Sequence, residues 1–245
     1  MPEKALIHPI EGREPTTAAA KGQFSREALQ SQRSFMDDLP GILKQFGMSM
    51  EQFHELRMRP AITLSKKQRK IMRAIRDSVP APTSDTIMQK VIPIGDIANY
   101  LREDSPWYQL KGYVARAADV KQLRTYRDLY ESLRLDYLND KGTHNYELSD
   151  GSCGVIRYRT PQYAKANKPY SYVMAMGSEK AYTANPPFTG NALTAARNSQ
   201  AVPEYIYDAP VDLENGAELY QIFDNGTEKL LAIFDIRQKR FIEVE

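Results

Sequence analysis

The chain has 245 residues, of which 42% are hydrophobic and 26% charged, with a net charge of +2. These proportions exclude wholesale disorder, and so small a charge implies no nucleic-acid partner by itself. One cysteine, Cys153, excludes a disulfide framework or a thiolate metal cluster, and His8, His54 and His144 have no metal-ligand spacing, so no metal is expected.

No apolar run reaches the roughly 20 residues that cross a bilayer, so no stable membrane insertion is expected. The opening MPEKALIHPIEGREP lacks the apolar stretch of a secretory signal, and export would need a separate delivery apparatus. Residues 1–24, rich in charge, Ala, Thr, Gly and Pro, read as a mobile segment. Residues 25–90 read as a helical N-terminal region. Ser25 is a candidate cap for a segment carrying Leu29, Phe35 and Met36, Pro40 breaks or restarts it, and Gly47 stops it. Ser49 with Gln52, and Ser65 with Gln68, form two capping boxes, in which the serine takes an amide three residues on and the glutamine reaches back. The second helix sets Ile71, Met72, Ile75 and Val79 on one face. Its other side carries Lys66, Lys67, Arg69, Lys70, Arg73 and Arg76 and reads as solvated, with RNA or an anionic membrane surface as the alternatives.

VPAPTSD, residues 79–85, is the strongest internal break. Residues 91–245 read as an α+β domain with a mainly antiparallel sheet core and flanking helices. A helix starts at Asp96 and carries Ile97, Tyr100 and Leu101. GYVAR reads as a short strand. Leu123, Tyr126, Tyr130, Leu133 and Tyr137 recur at spacings of three and four, which predicts a long helix capped by Asp119 and closed by a turn over 140–142. Strand signals follow at 153–159, 170–176, 203–207, 217–223, 229–235 and 240–244. Asn225-Gly226 favours a hairpin, and Asn215-Gly216 offers a second turn. Short turns between consecutive strands argue for antiparallel pairing.

The chain has no GxGxxG, no GxxxxGK[ST] and no GxSxG. Cys153 reads as a small buried hydrophobe. His144, in THNYEL, reads as a surface turn residue or as the base of a nuclease.

Three stretches suggest chemistry. Arg116 in KGYVARAADV can bind a phosphate or carboxylate bidentately, or can pair with Asp119. NPPFTGNALTAA, residues 185–196, groups Thr189, Asn191 and Thr194 around Gly190, as a holder for a ribose or an amide or simply as a turn. Glu204 in AVPEYIYDAPVDLENGAELYQI opens a strand. It can accept a ribose hydroxyl and stabilise an oxocarbenium ion as a glycosidic bond breaks, or remain a solvated strand end.

The order of Arg, hydroxyl-rich turn and Glu resembles the mono-ADP-ribosyltransferase toxins, over roughly residues 95–245. ARAAD looks like their arginine motif, and LENGAELYQI is similar to the strand entry after their glutamate. The texture is also similar to the variable C-terminal cargo of Rhs and insecticidal Tc toxin complexes. The resemblance implies an ADP-ribosyltransferase-like fold and NAD as substrate. Arg116 would hold an NAD phosphate, Tyr113 or Phe188 would stack on nicotinamide, and Thr189, Asn191 and Thr194 would shape the nicotinamide–ribose pocket. Glu204 would be the catalytic glutamate. It further implies an injected monomer acting in the target-cell cytoplasm on a host protein such as actin or a small GTPase. The chain has no literal Ser-Thr-Ser, and its one ExE is Glu243-Val244-Glu245, so Glu243 and Glu245 remain alternatives to Glu204. A His144 nuclease and a non-enzymatic protein-binding module are the competing functions.

Overall fold

The structure is a computed structural model and describes residues 22–139, 141–176 and 187–244. Expectations that fall on residues 1–21, Asp140, Asn185, Pro186 and Glu245 lie outside it. Among the described residues the strands are β1 (Met88–Ile92), β2 (Gln109–Arg116), β3 (Ser152–Tyr158), β4 (Tyr205–Asp212), β5 (Glu218–Phe223), β6 (Glu228–Asp235) and β7 (Arg240–Glu243). They form one curled sheet in the order β4-β2-β1-β3-β5-β6-β7, and every pairing is antiparallel. The fold is therefore α+β, as the turn chemistry implied. Between β5 and β6 the chain reverses through Asn225 and Gly226, where Gly226 takes the left-handed φ of 84° that an Asn-Gly hairpin needs.

The two sheet faces bury different layers. Met88, Ile92, Ile156, Tyr158 and Leu219 join Tyr205, Phe234 and Phe241 in one core. Val155, Cys153, Tyr220 and Ile222 join Leu123, Tyr126 and Leu129 on the other. The pairs Ile156↔Leu219 and Val155↔Tyr220 alternate between these layers, as a strand period of two requires.

Three local expectations are corrected. First, the run 170–176 forms α7 (Tyr172–Met176), not a strand. Val173 and Met174 are consecutive and both buried against the helical layer, which one face of a strand cannot provide. Second, the periodic run after residue 119 is not one helix. It divides into α5 (Ala117–Val120) and α6 (Tyr126–Leu133), and α6 is capped by Thr125 with Asp128 in a capping box. Asp119 is not a cap because its carboxylate serves Arg116 and the Phe35 N–H. Arg134, at φ 53°, ends α6, so Tyr137 lies beyond it. Third, α1 (Phe35–Gln45) is capped by Ser34 and not Ser25, and it runs through Pro40 unbroken. The Ser34–Asp37 box and buried Phe35, Leu39 and Leu43 hold both sides of the proline.

The other two capping boxes open α2 (Met50–Met58) and α3 (Lys66–Asp77) as read from the sequence. The basic face of α3 is corrected. Lys66, Lys67, Lys70 and Arg73 are exposed, but Arg69 and Arg76 are buried beside Met72 and Ile75. α1, α2 and α3 share their core with Val173, Met174, Leu193 and Ala201. Arg57 donates to the carbonyls of Thr194, Ala196 and Asn198, and Arg76 to those of Ala192 and Glu204. The helical layer thus shapes the segment that leads into β4. No helix of the described residues is long and apolar enough to cross a membrane.

Candidate active site

β1 and β2 pair only at Met88↔Arg116 and Gln89↔Ala115. Beyond that point β2 follows β4, with a bulge between Leu110 and Gly112, while β1 follows β3. Gly112 has a φ of 87°, a conformation that β-carbon-bearing residues rarely adopt. A cavity of about 220 Å³ opens where the strands part. Its walls come from both strands, the end of α6, Tyr137, Tyr146, Phe188, Val202 and Glu204. Ligand sites for drug-sized molecules run to roughly 300–1,000 Å³, so this cavity suits one ring-sized moiety.

One wall is aromatic. Tyr113 and Phe188 lie nearly parallel, with centroids 5.2 Å apart and an interplanar angle of 9°. Tyr137 leans on Phe188 at 5.9 Å. Tyr146 donates its hydroxyl to the Val91 carbonyl at 3.0 Å, and burial raises its phenol well above the ordinary tyrosine range, so it stays neutral.

Two ionisable groups also line the cavity. Glu204 sits one residue before β4, and its N–H donates to the Ala192 carbonyl at 3.0 Å. Burial raises its carboxyl to about 7, and the positive charge of Arg76 opposes that rise. Lys90, on β1, lies with Nζ 3.5 Å from the Tyr113 carbonyl. Burial lowers its ammonium to about 8 against the pull of Asp96. A carboxyl and an amine both shifted toward neutrality by burial, lining one cavity, make it the candidate functional site.

The expected residues therefore divide. Tyr113, Phe188 and Glu204, far apart in the sequence, line one cavity. Arg116 does not line it, although its neighbour Ala115 does. Its Nε and Nη2 donate to Asp119 at 2.7 and 2.8 Å, and Asp119 also accepts the Phe35 N–H at 2.7 Å. This is the Asp119 pairing weighed from the sequence, used to fasten the end of β2 to α1. Asn191 is fully buried, donates to the Arg57 carbonyl and accepts the Leu193 N–H. Thr194 accepts the Val202 N–H. Both side chains hold the loop together. Thr189 is buried, and its carbonyl accepts the Ala61 N–H at 2.8 Å. Glu243 ends β7, at the edge of the sheet opposite β4. His144 is exposed beside the Tyr137 carbonyl. Cys153 is buried, and burial pushes its thiol far up, out of the nucleophilic range.

Gln89, Lys90, Tyr137 and Tyr146 were missed as cavity residues. Lys90 left a signal: a lone charge inside the apolar stretch MQKVI. Gln89 also accepts Arg157 Nε at 2.8 Å, linking the cavity wall to a buried ion cluster on β3 and β6. Among the described residues no group of three His, Cys, Asp or Glu side chains could hold a metal ion. Comparison of the chain with family models, curated proteins and solved structures returned no match.

Proposed function

We propose that the chain is a mono-ADP-ribosyltransferase of the bacterial toxin type, which cleaves NAD and transfers ADP-ribose to a protein side chain. The observation that carries this reading is the convergence of Tyr113, Phe188 and Glu204 on one cavity. Nicotinamide would lie against the Tyr113–Phe188 wall, held by ring contact. Ionised Glu204 would accept the 2′-hydroxyl of the adjoining ribose. As the carbon–nitrogen bond breaks, its electron pair leaves with nicotinamide, and the positive charge left on the sugar is stabilised by the carboxylate. The acceptor side chain then bonds to that carbon and gives its proton to solvent. The rest of the dinucleotide would lie outside the cavity. Arg116 is committed to Asp119, so Lys90 is the cation better placed along the cavity wall. The ADP-ribosyltransferase-like fold, injection by a delivery apparatus and a host acceptor such as actin or a small GTPase all belong to this proposal.

Incubation of the purified chain with labelled NAD and a eukaryotic lysate tests it. The expected result is label on a discrete protein, falling by roughly 10²–10³-fold in Glu204→Gln, the usual size of a lost charge-stabilising group. Labelling that is equal in both proteins would refute the role of Glu204. Absence of both label and nicotinamide release would refute the transferase.

A further inference from the structure

We propose that Arg76 is the positioning residue of Glu204: its guanidinium, delivered by α3, clamps the main chain that presents the carboxylate and keeps a positive charge close to it. The inference rests on the reading of Glu204 as the working carboxylate.

Arg76 belongs to the run KKQRKIMRAIRD, which would suit an exposed helix, yet it is fully buried. Its Nε donates to the Ala192 carbonyl at 2.9 Å and its Nη2 to the Glu204 carbonyl at 2.6 Å. The Ala192 carbonyl also accepts the Glu204 N–H at 3.0 Å, so one oxygen joins the two chain segments and the guanidinium. Ala192 holds a φ of 60°, a left-handed conformation that costs a residue with a β-carbon and persists only where the surroundings enforce it. The guanidinium lies 4.6 Å over the Tyr205 ring, which fixes the residue after Glu204.

The clamp leaves Arg76 incompletely satisfied. Its Nη1 is buried and has no hydrogen-bond partner among the described residues. A buried cation is costly without a countercharge. The charge opposing burial at Glu204 is that of Arg76. Other ionisable groups that line the cavity with Glu204 are Lys90 from β1, Tyr113 from β2, and Tyr137 and Tyr146. Ionised Glu204 would place a negative charge within the reach of Arg76's field, which already opposes the effect of burial on that carboxyl.

Nitrogen NMR of the full chain tests this without altering Arg76. The Arg76 guanidinium resonances are expected to shift as Glu204 ionises, with the midpoint of that carboxyl at about 7, and to stay in place across the same range in Glu204→Gln. Resonances that do not move, or that move equally in Glu204→Gln, would overturn the proposal. Kinetics supply a second readout. Arg76→Met is expected to lower kcat for nicotinamide release by roughly 10²-fold and Arg76→Lys by roughly tenfold, with KM for NAD within about twofold. A change confined to KM would overturn a positioning role. If the chain releases no nicotinamide, the transferase reading fails, and the NMR titration still decides whether Arg76 and Glu204 are coupled.

Discussion

Two polar clusters flank the centre of the sheet, and they are built differently. At the β3–β5–β6 side, Arg157 donates to Glu228 at 2.7 and 3.0 Å and to the Phe24 carbonyl, while Glu218 accepts the N–H groups of Gln23 and Phe24 and the Tyr220 hydroxyl. Arg26 adds its N–H to Glu228. Salt bridging with Arg157 holds Glu228 below the usual carboxylate range despite burial. At the β1–β2 parting, Glu204 and Lys90 face a cavity, and burial pushes both toward neutrality. The comparison teaches that burial alone does not identify chemistry. Charges paired with one another fasten the segment 22–26 to the sheet, with only Arg26 Nε left without a hydrogen-bond partner among the described residues, whereas weakly compensated charges beside open space are available to a ligand.

Breaking the paired cluster should therefore cost the most stability. Glu228→Ala leaves Arg157 buried without its carboxylate, and a loss of about 3–5 kcal/mol is expected in denaturant unfolding. A change under about 1 kcal/mol would show that this cluster is not the fastening it is taken to be. Next comes Gly22→Ala. A β-carbon at residue 22 would overlap the Tyr220 hydroxyl and the Glu218 carboxylate, so a loss of about 1–3 kcal/mol is expected in the same experiment.

The cavity cluster should show its effect through pH. The folded-state pKa of Glu204 lies above its ordinary value, so the folded chain holds a proton that the unfolded chain has released. Its contribution is fully present below about 4.5 and is lost as pH rises to about 7. Because the cavity leaves the carboxyl within reach of water, the expected loss is about 2 kcal/mol, abolished in Glu204→Gln and read from unfolding curves across that range. A pH dependence that persists in the variant would assign the proton elsewhere. The smallest effect is expected at the aromatic wall. Phe188→Ala removes the partner of Tyr113, and NAD binding should weaken by roughly tenfold, measured calorimetrically. Unchanged affinity would remove this wall from the site.

Much of the scaffold was legible in the sequence because its signals are local. The boxes at Ser49 and Ser65 and the Asn225-Gly226 turn are satisfied within a few residues of chain, and they appear where expected. The failures have a common cause in tertiary context. YSYVMAM alternates like a strand, but beyond the single Tyr170–Asn191 bridge its residues Tyr172–Met176 form a helix, with Val173 and Met174 packed on the helical layer. The periodic run after Asp119 is interrupted over 121–125, where Lys121 carries its ammonium to the Gln30 carbonyl and Thr125 caps a new helix. Arg57 and Arg76 were hidden for a related reason. A charge on a helix reads as solvent-facing until a partner distant in the sequence supplies carbonyls, as residues 192–204 do here. Tyr113, Phe188 and Glu204 could be picked out as types suited to a ring and a ribose. Their meeting at one cavity depends on where β1 and β2 separate, and no local pattern encodes that.

The most direct test of the account is nicotinamide release from NAD by the purified chain, followed across pH alongside Glu204→Gln. The account predicts release that rises with pH through a midpoint near 7 as Glu204 ionises, and near-complete loss in the variant. No release from the unaltered chain, or release that Glu204→Gln leaves unchanged, would contradict it.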